Sequence, residues 1–137
     1  MYRRLCRRAL PLILAAIVMA ACETPMNTII EPPTPTIRTF SGTLTVNGGG
    51  THRFLTTATG EIKVQLEALA PVDTVVVNLS LGVWTGASCN MIIENQNAVL
   101  NTVVVGTTAA TGEFCARVYD LGRLTAPTEY TLEVTHF

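Results

Sequence analysis

Several residue patterns on which enzymes and cofactor-binding proteins depend are missing from this sequence. It has two histidines and two aspartates, and it lacks C-x-x-C and H-E-x-x-H spacings, so it predicts neither a zinc site nor a calcium loop. It also lacks a P-loop, a dinucleotide fingerprint and a G-x-S-x-G elbow. The glycine run 48–50 lies between predicted strands and is not followed by an expected helix, so it predicts a hairpin turn. We therefore expect a non-catalytic protein without metal or cofactor, and a triad of Ser88, His52 and Asp73 is the alternative.

Basic residues are scarce beyond the N-terminus. Four arginines precede residue 9, whereas all ten acidic residues follow Cys22, which leaves five basic residues and a net charge of −5 beyond that cysteine. Binding to nucleic acid or to anionic lipid requires clustered lysine and arginine, so neither is an expected partner. The five basic residues are Arg38, Arg53, Lys63, Arg117 and Arg123.

The N-terminus has the three-part organisation of a secretory signal peptide. Arginines precede an apolar block at residues 9–21, which is shorter than the roughly 20 residues of a spanning helix. The sequence Met19-Ala20-Ala21-Cys22 resembles the bacterial lipobox, in which the cysteine thiol accepts the lipid. The resemblance implies removal of residues 1–21 and acyl chains such as palmitate on Cys22. The arginine pairs 3–4 and 7–8 lack the surrounding consensus of a twin-arginine signal, which favours export by the general secretory route. An ordinary signal peptide cleaved near Ala20 is the alternative.

A lipid on Cys22 would hold the protein at a membrane of the bacterial cell envelope, and several acyl chains give stable anchoring. Glu23 follows the cysteine, where an aspartate would favour retention in the inner membrane, so the outer membrane is favoured. Residues 22–37 form a Pro/Thr-rich tether. At about 3.1 Å per residue, the stretch 23–36 would extend roughly 40 Å from the membrane.

Residues 38–137 show short strand patterns separated by turn residues, and no convincing helix. Residues 61–69 alternate strictly, with Ile62, Val64 and Leu66 on one face, while residues 74–81 are more apolar and predict a central strand. About eight strands at regular spacing predict an all-β domain, an antiparallel, jelly-roll-like β-sandwich. The predicted strands are 40–46, 51–58, 61–69, 74–81, 89–95, 101–107, 113–120 and 129–137.

Four of these segments carry a family resemblance. FSGTLTVNGGGTHRF, GEIKVQLEAL, GEFCARVYD and YTLEV are similar to the strands of the bacterial pre-peptidase C-terminal domain. The match covers residues 40–137, and its glycines and aromatics are structural. The resemblance implies a compact β-sandwich of a kind found beside secreted peptidases and also alone in envelope proteins.

Two cysteines, Cys89 and Cys115, remain after the expected loss of Cys6 with the signal peptide and the lipidation of Cys22. An even pair in an oxidising compartment predicts a disulfide bond, with Cys115 in mid-strand and Cys89 at a strand start. A catalytic thiol is the alternative, but the sequence places no histidine beside either cysteine.

Two aromatic residues are the candidates for ligand binding. Trp84 is expected in a loop between strands, where an indole stacks on a sugar, anchors a partner or caps the edge of the core. Tyr119, followed by Asp120 and Arg123, is expected to line the same end of the sandwich.

These observations predict a non-catalytic function. The first hypothesis is a membrane-tethered envelope module for protein interaction or structural support. The alternatives are a carbohydrate or cell-wall binding module that uses the aromatics, and an accessory domain of a secreted peptidase.

Lipidation at Cys22 predicts that the processed protein fractionates with membranes and carries palmitate. Metabolic labelling followed by membrane fractionation and mass spectrometry of the N-terminal peptide measures both properties. Recovery of unlipidated protein from the medium would contradict the expected location.

Overall fold

The computed structural model describes residues 31–137, which fold entirely as strands and connecting turns. They contain no helix, and therefore no helical segment able to cross a membrane. The predicted signal peptide, Cys22 and most of the predicted tether lie outside the described residues. The eight strands are β1 Thr36–Leu44, β2 Gly49–Thr56, β3 Gly60–Ala70, β4 Val77–Trp84, β5 Cys89–Ala98, β6 Val103–Thr108, β7 Gly112–Tyr119 and β8 Thr128–His136.

The strands form two four-stranded antiparallel sheets. Sheet A has the order β1-β8-β3-β6 and sheet B the order β2-β7-β4-β5. The first and last strands are neighbours in sheet A, and the chain crosses between sheets at most of its turns, an arrangement typical of a jelly roll. The predicted all-β antiparallel sandwich of about eight strands is confirmed.

The core lies between the two sheets and follows the alternation of the sequence. Ile62, Val64 and Leu66 point inward from β3, as predicted, and meet inward residues of β4 such as Leu79 and Leu81 in one buried cluster. Burial of each such side chain contributes about 1.5–3 kcal/mol. β4 lies between two other strands and is buried along most of its length, which confirms the prediction of a central strand.

Two strands begin earlier than predicted, because their first residues pair with strands that are distant in sequence. β1 begins at Thr36, two residues before the expected domain start at residue 38, because residues 36–38 pair with residues 134–136 of β8. Gly49 and Gly50 belong to β2 rather than to the predicted turn, since they pair with Tyr119 and Val118 of β7. Long-range pairing of this kind leaves no local sequence pattern.

Tyr130 of β8 fills the space between β1 and β2. A Cβ at Gly42 would lie 2.6 Å from the Tyr130 hydroxyl oxygen, and a Cβ at Gly50 would overlap that oxygen, so both positions require glycine. The hydroxyl, in a residue 3% exposed, lies 2.8 Å from Nε2 of His52, and the His52 ring stacks on Phe40 at 4.9 Å. Burial raises the pKa of Tyr130 and lowers the pKa of His52, so both groups favour their neutral forms and share one hydrogen bond.

Asp120, which is 1% exposed, joins two loops at one end of the sandwich. Its carboxylate accepts backbone N–H hydrogen bonds from Asn47 at 2.8 Å, Arg123 at 2.8 Å and Leu124 at 3.1 Å. Burial alone would raise the pKa of Asp120, but these three N–H donors and the backbone N–H of Gly122 hold that pKa below its usual value. The ionised carboxylate therefore fixes the β1–β2 loop to the β7–β8 loop.

The position of His52 predicts a pH-dependent stability. Because burial lowers the pKa of His52 in the folded state, only the unfolded chain gains a proton as the pH first falls below about 6.5. As the pH falls below about 6.5, we expect the free energy of unfolding of the wild type to decrease relative to that of H52Q. Above about pH 7 the difference between the two free energies should stay constant. Urea unfolding of both proteins across this pH range is the measurement, and parallel curves below pH 6.5 would contradict the assignment.

Candidate functional site

The outer face of sheet B carries the side chains that alternate with the core residues of its four strands. Strand pairing arranges them in rows that cross the sheet from β2 to β5. The rows are Gly49, Tyr119 and Asn78; Thr51, Arg117, Ser80 and Glu94; Arg53, Cys115, Gly82 and Met91; followed by the two pairs Leu55–Glu113 and Trp84–Cys89.

β4 forms the buried floor of this face. Asn78 and Ser80 alternate with the core residues and so point outward, yet each is only 2% exposed. The Ser80 hydroxyl donates to the carbonyl of Arg117 at 3.3 Å, and Nδ2 of Asn78 donates to Oε2 of Glu94 at 3.1 Å. The floor is therefore polar and lies between the flanking strands β7 and β5.

Gly82 continues this floor and determines the path of β5. A Cβ at Gly82 would overlap the carbonyl oxygen of Asn90 and lie 2.9 Å from Cα of Met91. The start of β5 thus passes across the outer side of β4, and the pairing shifts register between Leu81 and Gly82. Only a residue without a side chain allows two backbones to approach so closely.

A disulfide bond joins Cys89 of β5 to Cys115 of β7 across this crossing. The two Cα atoms are 5.8 Å apart, and Cys115 is fully buried although it points to the outer face. The predicted bond is confirmed, as are the positions of Cys89 at a strand start and Cys115 in mid-strand. Pairing of the two sulfurs removes the alternative of a catalytic thiol at these positions.

Trp84 is the last residue of β4 and not, as expected, part of a loop. Strand pairing with Cys89 places it on the outer face of sheet B. Its indole Nε1 is buried and has no hydrogen-bond partner among residues 31–137. The Arg53 guanidinium lies 5.9 Å from the ring centroid and also pairs with Glu113 at 3.7 Å. A cation–π contact of this kind contributes about 0.5–1 kcal/mol at an exposed site.

Tyr119 is the last residue of β7 and lies on the same face at its other end. It pairs with Asn78, six positions before Trp84 on β4, which separates the two aromatic residues by about 20 Å. The expectation that they line one end of the sandwich is wrong, because β4 and β7 are antiparallel and their final residues lie at opposite ends. The Arg117 guanidinium covers the Tyr119 ring at 5.0 Å.

The two outer faces of the sandwich differ in charge. Arg53, Arg117 and, at the border, Arg123 accompany sheet B, and Nη1 of Arg123 donates to the carbonyl of Gln96 at 2.6 Å. On sheet A the outward residues of β8 include Glu129 and Glu133, and the single lysine, Lys63, pairs with Glu61 at 3.0 Å. Three of the five basic residues beyond Cys22 therefore lie at or beside one face.

The residues of the alternative triad are not brought together. Asp73 precedes β4 and Ser88 follows it, so the length of that strand, about 26 Å for eight residues, separates them. His52 points into the sandwich toward Tyr130. Within residues 31–137, no group of three or more His, Cys, Asp or Glu side chains is arranged to hold a metal ion.

The sequence predictions missed Arg53, Arg117, Asn78 and Glu94 as members of this face. Alternation assigns Arg53 and Arg117 to the solvent side of their strands, which is the available signal. It does not reveal which strands are neighbours, and Asn78 follows three consecutive valines that conceal its outward direction.

Comparison with known proteins supports the fold and assigns no family. No protein-family model and no curated protein matches the sequence. The crystal structure of the Yersinia pseudotuberculosis-derived mitogen matches 76% of this chain and 88% of its own, with a TM-score of 0.58 and 18% sequence identity. At that identity the similarity extends to the β-sandwich fold alone. The resemblance to the pre-peptidase C-terminal domain stays a prediction.

The disulfide bond is expected to contribute substantially to stability. A cross-link between residues 26 positions apart should contribute about 3–4 kcal/mol by restricting the unfolded chain. The C89A/C115A variant should lose this amount in denaturant unfolding, and reductant should destabilise the wild type without affecting the variant. Equal stability of oxidised and reduced wild type would disprove the contribution.

Proposed function

We propose that this chain is a membrane-tethered, non-catalytic module of the bacterial cell envelope that binds a partner on the outer face of sheet B. The signal peptide pattern and the lipobox resemblance at Cys22 support the location, with the outer membrane favoured over the inner. The Pro/Thr-rich tether supports a domain held away from the lipid surface.

Two arginine–aromatic pairs on one face carry the binding part of the proposal. Arg53 accompanies Trp84, and Arg117 accompanies Tyr119. Tryptophan, tyrosine and arginine are the residues that most often dominate the binding energy of protein interfaces. An envelope protein, or an assembly that the module supports, is therefore the first candidate partner.

A carbohydrate of the cell wall is the second candidate. The polar floor favours it, because Asn78, which pairs with Tyr119, and Glu94, which bonds to Asn78, supply amide and carboxylate groups on the same face. Sugar-binding sites combine an aromatic surface with a few placed hydrogen-bonding groups. The third role, as accessory domain of a secreted peptidase, has the support of the family resemblance in residues 40–137.

Crosslinking of intact membranes, followed by mass spectrometry, tests the proposed surface. We expect the wild type to capture a defined partner and the W84A/Y119A variant to lose it. T131A is the matched control, since Thr131 lies on the outer side of sheet A, where it contacts Ser41. Capture of the same partners by wild type and W84A/Y119A would show that the binding surface lies elsewhere.

A further inference from the structure

The hydrogen-bonding and charged groups of the outer face of sheet B narrow the class of its partner. We propose that this face binds an acidic saccharide, with a carboxylate or phosphate of the sugar on the Arg117 guanidinium and the sugar ring beside Tyr119. The inference rests on the proposed function, because it names the partner of the same surface.

Arg117 is the cation of this site. Its guanidinium lies over the Tyr119 ring, and Nη1 is 4.0 Å from Sδ of Met91. Within residues 31–137, ion pairs hold Arg53 and Lys63, whereas no carboxylate is within 4.0 Å of Arg117. A guanidinium stacked on an aromatic ring keeps the N–H groups of its edge for bidentate contact with an oxyanion.

Asn78 supplies an unsatisfied acceptor to the same patch. Its Nδ2 is used by Glu94, but its Oδ1 is buried without a donor among the described residues. Such an acceptor costs about 1–3 kcal/mol when it stays unpaired, so a ligand gains a hydrogen bond there once a covering side chain moves aside. A sugar hydroxyl is a donor of this kind.

Glu94 adds a second acceptor. Hydrogen bonds from Asn78 at 3.1 Å and from Gln96 at 2.8 Å fix its carboxylate and lower its pKa. Because the carboxylate stays ionised near neutral pH, it accepts hydroxyl groups but repels a second anion. It therefore favours a ligand with an acidic group at one end, toward Arg117, and hydroxyl groups at the other.

The dimensions of the patch suit one or two sugar rings. Arg117 and Tyr119 lie on β7, Asn78 on β4 and Glu94 on β5, in adjacent rows. Three strands by two rows span about 10 Å by 7 Å. A second arginine–aromatic pair, Arg53 and Trp84, lies on the same face, where Arg53 pairs with Cys115, about 7 Å along the strand from Arg117.

The polar floor beside Arg117 favours a saccharide over a protein. Protein hot spots fill apolar pockets, but the floor of this face is formed by Asn78 and Ser80. Of the exposed apolar side chains, Leu55 and Met91 lie on this face, whereas Val103 and Val105 lie on the edge strand β6 of sheet A. A protein partner is therefore an outcome for the experiment to test.

Binding of defined polymers to the processed full-length protein tests the inference. The probes are polygalacturonate with its methyl-esterified form, and phosphorylated mannan with unmodified mannan, so each acidic polymer has a neutral match. We expect one or both acidic polymers to bind, the neutral forms to bind at least about tenfold more weakly, and the affinity to fall with added salt. The two pairs distinguish a carboxylate from a phosphate.

Substitutions locate the site. R117Q should weaken binding by about tenfold or more, R117K by less, and N78A should weaken it without any change of charge. K63Q is the matched control, since it removes one positive charge from the other sheet and should leave affinity unchanged. Thermal unfolding of each variant checks the fold, and R117K supplies the result if R117Q does not fold.

The outcomes separate the inference from the proposed function. Equal binding of acidic and neutral polymers, or equal affinity of R117Q and K63Q, overturns the acidic saccharide. If no polymer binds but crosslinking captures an envelope protein through Trp84 and Tyr119, the saccharide is wrong and the proposed function stands. If no polymer binds and crosslinking does not depend on Trp84 and Tyr119, then both the acidic saccharide and the proposed binding surface are wrong.

Discussion

The passage of β5 across the outer side of β4 at Gly82 is the constraint that shapes sheet B and its outer face. The absence of a side chain at Gly82 permits the contact, and the Cys89–Cys115 bond holds β5 to β7 on the far side of β4. On the same face, the outward residues Asn78 and Ser80 form a buried polar floor, where Asn78 bonds to Glu94 of β5 and Ser80 to the carbonyl of Arg117 of β7. The candidate site depends on that floor.

The interior is fixed by different contacts. Tyr130 occupies the gap that Gly42 and Gly50 leave, and Asp120 holds two loops through backbone hydrogen bonds. These groups lie between the sheets or at one end of the sandwich, whereas the arginine–aromatic pairs lie on the outer face of sheet B. The separation means that Arg53, Arg117 and Tyr119, which are not buried, can be substituted without loss of the core packing that maintains the fold.

The sequence predicted which segments form strands, but not which strands are neighbours in each sheet. Period-two alternation in residues 61–69 identified β3 and its buried face, since that pattern is a local property of the chain. The early start of β1 at Thr36 and the inclusion of Gly49 in β2 depended on β8 and β7, which are distant in sequence. Trp84 and Tyr119 were identified as candidates, but the antiparallel order of β4 and β7 places them at opposite ends of one face.

By itself the sequence determined the all-β class, the apolar core positions and the even pair of cysteines, because each follows from residue type and local spacing. It also carries the predictions of export, lipidation at Cys22 and a tether, which concern residues outside the described fold. Only the tertiary structure decided that Arg53, Trp84, Arg117 and Tyr119 share one face, since a shared face is a consequence of strand order and register. The buried position of the outward-pointing Asn78 was decided there too, because its neighbours Tyr119 of β7 and Glu94 of β5 come from other parts of the chain.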